Sequence, residues 1–136
     1  MPYLEPSYMT ASFMRTISQK VGVSFYACNG TGMDRTKIAN VLKNDFNYST
    51  ATQANFHDAT IENELDYNRP VIITCDSHAW VCDGYRRIIT FDVGFLTFNM
   101  NWGWGGDYDG YFASGNFKPG NKNYNNSVKM VYNIKP

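Results

Sequence analysis

Long apolar runs are absent from this chain, and no stretch is long enough to span a bilayer, so no membrane partner is expected. Net charge is absent too. Twelve Lys and Arg offset twelve Asp and Glu, which argues against a generic electrostatic grip on nucleic acid. Cysteine is scarce: Cys28, Cys75 and Cys82 make neither a closely spaced metal pair nor a disulfide framework, and their odd number leaves at least one thiol free in a monomer. Histidine is scarcer still. A zinc site would require His57, His78 and cysteines to converge from separated segments, and no compact ligand motif is present. The first residues lack the arrangement of a secretory leader, because Pro2, Glu5 and Pro6 interrupt them and no apolar core flanked by basic residues follows. The glycines among residues 103 to 106 follow an aromatic extended segment rather than joining a strand to a helix, so they are not read as a phosphate loop.

What remains is material for a core. Of the 136 residues, 43% are hydrophobic and 16% aromatic, enough for one domain over 1–136 and too many for general disorder. Met9, Phe13, Ile17 and Val21 recur four apart, which predicts a helix over residues 8–20 with Gly22 beginning its exit. Val23 and Phe25 alternate in a short extended segment before the turn chemistry of residues 29–32. Asp34 is expected to cap a second helix over 35–43, with Ile38, Val41 and Leu42 inward. Thr60 is expected to cap a short third helix reaching Leu65, with Asn68-Arg69-Pro70 ending any continuation.

Beyond Pro70 the pattern changes to strands: Val71 to Ile73, His78 to Cys82, Ile88 to Val93, Phe95 to Asn101, and the alternating Val128, Met130, Tyr132 and Ile134. Helices followed by an antiparallel sheet define an α+β class. Arg86 and Arg87 are expected on a turn, Asp107-Tyr108-Asp109 in a solvated loop, and Tyr111 and Phe112 packed across the sheet.

Two segments carry chemistry. In Ser77-His78-Ala79-Trp80-Val81-Cys82-Asp83-Gly84-Tyr85, alternation places His78, Trp80 and Cys82 on one strand face, and an imidazole exchanges protons near neutral pH. Alone, such a histidine is more often a structural side chain. In Asn99-Met100-Asn101-Trp102-Gly103-Trp104-Gly105-Gly106, an asparagine carbonyl is available to orient an imidazole while the adjacent indole shields that bond from water. The same segment also reads as an aromatic-rich turn packed on a sheet.

Together, His78 through Tyr85 and Asn101 through Gly106, followed by Asp109-Gly110-Tyr111-Phe112, resemble the streptopain family of papain-like cysteine peptidases. The likeness extends upstream through Asp34 to Tyr48 and Asn68 to Val71, and downstream through Tyr124 to Pro136. It covers most of the chain but only the later half of a mature family member. The resemblance implies an incomplete papain-like fold, with its sheet open or forming a partial barrel. It implies His78 as general acid/base, Asn101 as its orienter, Trp102 as the shield of that contact and Trp104 as part of the cleft wall. It further implies secretion, peptide or protein substrates, and no metal or organic cofactor.

The family's nucleophilic cysteine precedes the region represented here. Cys28, in Ala27-Cys28-Asn29-Gly30, does not match the nucleophile region and has no helix end or positive partner nearby to form a thiolate. Cys75 and Cys82 sit within or beside the histidine segment and read as packing residues. Ser77 stands where many family members have glycine. The chain is therefore expected to be a peptidase segment that works with a missing N-terminal half and is inactive alone; the alternative is a noncatalytic peptide-binding or inhibitory domain.

Overall fold

A computed structural model describes residues 7–26, 30–90 and 93–136. Helix α1 spans Tyr8–Lys20, and the side chain of Ser7 caps it by accepting the Thr10 N–H at 3.1 Å. Its C-terminus closes on Val21, and Gly22 comes next at φ +68°, where a β-carbon would be strained. A small hairpin of β1 (Ser24–Tyr26) and β2 (Gly30–Gly32) leads on from it; Cys28 and the turn around it lie outside the described residues. Asp34 caps the second helical segment as expected, accepting from the Thr36 N–H at 3.0 Å. The first turn of that segment is a 3-10 helix, Arg35–Lys37, which continues as α2 over Ile38–Asp45.

The third helix, α3 (Asp58–Asp66), begins two residues before the expected cap. His57 Nδ1, not Thr60, accepts the free N–H, and Thr60 supplies it at 3.4 Å. The helix ends at Asp66, one residue past the expected Leu65, and Asn68 in the left-handed region (φ +55°) stops any continuation, with its N–H bonded to the Leu65 carbonyl.

Six strands form one open antiparallel sheet: β3 (Thr50–Asn55), β4 (Val71–Thr74), β5 (Ala79–Thr90), β6 (Val93–Asn101), β7 (Gly110–Ala113) and β8 (Lys129–Lys135), in the order β3-β8-β4-β5-β6-β7. The segments expected as separate strands around Cys82 and Ile88 are one strand. A register shift between Cys82 and Gly84 absorbs Asp83, so the Asp-Gly pair bulges instead of turning. Arg86 and Arg87 consequently lie in mid-strand rather than on a turn. Arg87 makes a two-pronged bond to Glu62 on α3 at 2.8 and 2.9 Å, and Arg86 lies 4.3 Å over the Tyr111 ring.

Two cores pack on the sheet, one on each face, and the second reaches only β3, β8 and β4. On one, Ile73, Trp80, Cys82, Phe98, Met100 and Met130 pack with Ile61 of α3 and with Phe117 from the long β7–β8 connection. On the other, Val131 and Ala51 meet Ile38 and Ala39 of α2. Consecutive residues Met130 and Val131 thus serve opposite cores, as the two-residue period of a strand requires. Buried Glu64 ties α3 to the sheet: its carboxylate accepts two bonds from Arg69 at 2.7 and 3.0 Å and one from the Asn133 N–H at 3.0 Å. Among the described residues no helix is long and apolar enough to cross a membrane.

Candidate functional site

The site forms where β4, β5 and β6 end together. The Cys75 N–H donates to the His78 carbonyl at 2.9 Å, closing the tight connection between β4 and β5 and placing His78 just ahead of the strand. Alternation then puts its ring on the same face as Trp80. Four aromatic rings surround the imidazole: Tyr124 at 4.9 Å, Trp104 at 5.2 Å, Trp80 at 6.1 Å and Trp102 at 6.3 Å between centroids, with interplanar angles of 15–36°. Trp80 and Trp102 are themselves buried, and the Trp80 indole N–H donates to Met100 Sδ at 3.3 Å. Such near-parallel stacking fixes the plane of the histidine ring and removes one side of it from water.

His78 Nε2 lies 3.0 Å from the Trp102 carbonyl oxygen. A carbonyl only accepts, so Nε2 carries the hydrogen, and in the neutral ring Nδ1 holds the lone pair. Nδ1 has no hydrogen-bond partner among the described residues. Burial pushes the imidazole below its ordinary value, and the bond to Trp102 works against that shift. The result is a half-buried, neutral histidine with one nitrogen anchored and the other available to take a proton.

Asn101 reaches this ring indirectly. It lies on the strand face opposite Met100 and Trp102, paired in register with Val81, and no hydrogen bond joins it to His78. Its side-chain oxygen instead accepts the Gly103 N–H at 3.0 Å. That N–H belongs to the same peptide plane as the Trp102 carbonyl, so Asn101 holds the plane that holds His78. A peptide whose N–H is engaged also has a more polarised carbonyl. Gly103 at φ +75° turns the chain just before Trp104, whose ring lies over the histidine, and Gly105 and Gly106 follow at +71° and +103°.

A cleft of about 490 Å³ opens beside His78, with Cys75, Asp76 and Ser77 on one wall and Met33, Asp34, Arg35 and Thr36 on the other. Arg35 clasps the two sides, donating to Asp76 at 2.7 Å and to the Ser127 carbonyl at 2.8 Å. Cys75 and Cys82 are both free and buried, and burial pushes the Cys82 thiol up to about 12, far from thiolate formation at neutral pH. Among the described residues no three His, Cys, Asp or Glu side chains converge as a metal site. Sequence reasoning did not single out three contributors. Tyr124 stacks on His78 from a polar loop, Arg35 acts across ninety-two residues, and Asp109 accepts the Trp102 N–H at 2.8 Å. All three fall within segments that carry the family resemblance, but the resemblance gives none of them a role at the histidine.

An α+β chain with N-terminal helices and an open antiparallel sheet, ending in an aromatic-walled histidine, has the architecture of a papain-like cysteine protease. The solved structure of the interpain A cysteine protease from Prevotella intermedia superposes with a TM-score of 0.72 at 25% identity, over 93% of this chain and 56% of that one. The family model of the Peptidase C10 family matches residues 3–112, and the chain belongs to that family. Among curated relatives, the thiol protease/hemagglutinin PrtT of Porphyromonas gingivalis is 29% identical over 145 residues, and streptopain of Streptococcus pyogenes is 29% identical over 138 residues. They align with 93% and 85% of this chain respectively. The chain spans only 16% of the length of the first and 33% of the second.

Proposed function

We propose that this chain supplies the histidine wall of a cysteine peptidase site and corresponds to the C-terminal half of the family's catalytic unit, residues 1–136 acting as one domain. The observation that carries this reading is the His78 imidazole, anchored through Nε2–H on the Trp102 carbonyl at 3.0 Å with Nδ1 left to exchange a proton. In the mechanism, Nδ1 takes the proton of a cysteine thiol. The thiolate attacks the peptide carbonyl, the imidazolium returns the proton to the departing amine, and water then resolves the thioester. Asn101 orients His78 through the Trp102–Gly103 peptide. Trp102 shields the bond from water, Trp104 and Tyr124 shape the histidine side of the site by stacking on its ring, and the cleft beside His78 receives a peptide or protein substrate. A secreted setting and independence of metal or organic cofactors accompany the family reading.

The thiol is the part supplied from elsewhere. Cys82 is too buried and too weakly acidic, and Cys75 is buried within the β4–β5 connection. The burial of both thiols also favours a second reading, in which the chain binds peptides without cutting them. A peptidyl epoxide probe together with a fluorogenic peptide separates the two. Alone, the chain is expected to take no label and release no fluorophore. Co-expressed with a cysteine-bearing papain-like N-terminal half, it is expected to hydrolyse the peptide, with at least a hundredfold loss on His78→Ala, the scale of a general acid/base contribution (~10²–10⁴). Hydrolysis by the isolated chain that is lost on Cys28→Ala would refute an external thiol. Peptide binding by a reconstituted, folded pair without hydrolysis would favour the noncatalytic reading.

A further inference from the structure

We infer that Asp109 is a positioning residue for His78, acting through the backbone of Trp102. Strands β6 and β7 pair as far as Met100 opposite Gly110. Beyond that pair the ladder has no backbone carbonyl for the Trp102 N–H, because the chain departs into the turns of residues 103–109, where Asp107 and Asp109 donate their N–H groups to the carbonyls of Trp104 and Gly106. The Asp109 carboxylate takes that place, accepting the Trp102 N–H at 2.8 Å. It makes no other hydrogen bond and no ion pair among the described residues, so the charge of this exposed side chain is directed at one backbone donor. Bonds of this kind, with an ionised acceptor, are among the stronger and shorter ones.

The position of that donor gives the contact its consequence. Trp102 joins two peptide planes. Asp109 holds the preceding one through its N–H, while Asn101 and His78 engage the next one through the Gly103 N–H and the Trp102 carbonyl. With both planes held, the two backbone torsions of Trp102 are fixed, and so is the direction in which its carbonyl meets His78 Nε2. Releasing either plane lets the carbonyl swing away while the Trp102 ring stays packed. Asp109, in the solvated loop expected of it, is thus also a closing strut of the loop that aims the imidazole.

This rests on the assignment of His78 as the proton-exchanging group, but its test needs no turnover. In the ¹⁵N-labelled full chain at neutral pH, the His78 Nε2–H exchange rate and the ring tautomer are measured by NMR, with His57 as internal reference and the β8 amides as the control for folding. Asp109→Ala is expected to speed Nε2–H exchange about tenfold and admit the Nδ1–H tautomer, leaving β8 protection unchanged; the scale is that of one lost hydrogen bond. Asp109→Asn keeps a side-chain oxygen and is expected to return exchange to within about threefold of the parent. Asp109→Glu keeps the charge but displaces it by one methylene, and is expected to move the signal toward the Ala variant. An unchanged His78 signal in Asp109→Ala overturns the inference, as does loss of β8 protection in step with the His78 change. If the Ala variant does not fold, a parent-like His78 signal in Asp109→Glu overturns it. Failure of the reconstituted pair to cut peptide, with these shifts present, counts against the peptidase reading and leaves the positioning role standing.

Discussion

Tyr8 and Met9 on α1 are 87% and 80% exposed, and that helix buries none of its residues; Trp102 and Phe98 on the sheet are fully enclosed. Both regions are rich in large apolar side chains. In the sheet, four strands, α3 and the β7–β8 connection converge on a single buried cluster that encloses Trp80, Phe98, Trp102 and Phe117. Helix α1 meets the end of α2 through an edge-on contact of Phe13 with Phe46 at 5.7 Å and an ion pair of Lys20 with Asp45 at 2.6 Å. Apolar spacing of four in a sequence reports that a helix will form. It carries no information about how much of its stripe will find cover.

The contrast can be broken most directly from the sheet side. Phe117→Ala removes a ring packed edge-on to Phe56 at 5.1 Å and tilted against Trp80 at 5.6 Å. The expected loss is about 3–5 kcal/mol, read from urea unfolding followed by near-ultraviolet circular dichroism. A loss below about 1 kcal/mol would mean the cluster is looser than its geometry.

Glu64 offers a smaller effect with a pH signature. Its hydrogen bonds from Arg69 hold the carboxyl below the ordinary glutamate value, outweighing the opposing influence of burial. The folded state therefore binds this proton less readily than the unfolded chain. The stabilisation is complete above the ordinary value of about 4.5 and is lost as pH falls through the lower folded value. Glu64→Gln is expected to lower stability at pH 7 by about 2 kcal/mol and to flatten the acid limb of the stability curve. Urea midpoints measured from pH 7 down to pH 3 check both, and parallel acid limbs for parent and variant would contradict the assignment. The smallest effect belongs to α1: Met9→Ser should change stability by no more than about 0.5 kcal/mol, and a larger loss in the same urea experiment would show that its exposed stripe is covered after all.

Much of this arrangement is legible in the sequence, and the exceptions have physical causes. The bounds of α1, the stop at Asn68, and strands β4 and β8 emerge from periodicity and breakers. Strand β3 escapes because Thr50-Ala51-Thr52-Gln53-Ala54-Asn55 is mostly polar, and as an edge strand it pairs only with β8. The break expected between Cys82 and Ile88, with Arg86 and Arg87 on a turn, fails because the chain bulges at Asp83 and continues as one strand. At the site, the histidine and the tryptophan segment are recognisable as types and spacings. The identity of the contact is not, since a backbone carbonyl leaves no mark on the sequence: the bond to His78 comes from the main chain of Trp102, with Asn101 one peptide removed. Tyr124 and Arg35 act over separations that no local pattern encodes.

The strand order has a further consequence for how the molecule comes into being. β8 is the last strand in the chain, yet it lies between β3 and β4, pairing with both. During synthesis β3 therefore leaves the ribosome long before the neighbour that will bond to it, and β4 waits with one edge bare. Strands β4 to β7 pair with their neighbours in sequence, but β3 joins the sheet only after translation has passed residue 135. That ordering makes assembly of this sheet slow, non-local and exposed to wrong pairings until the final strand arrives.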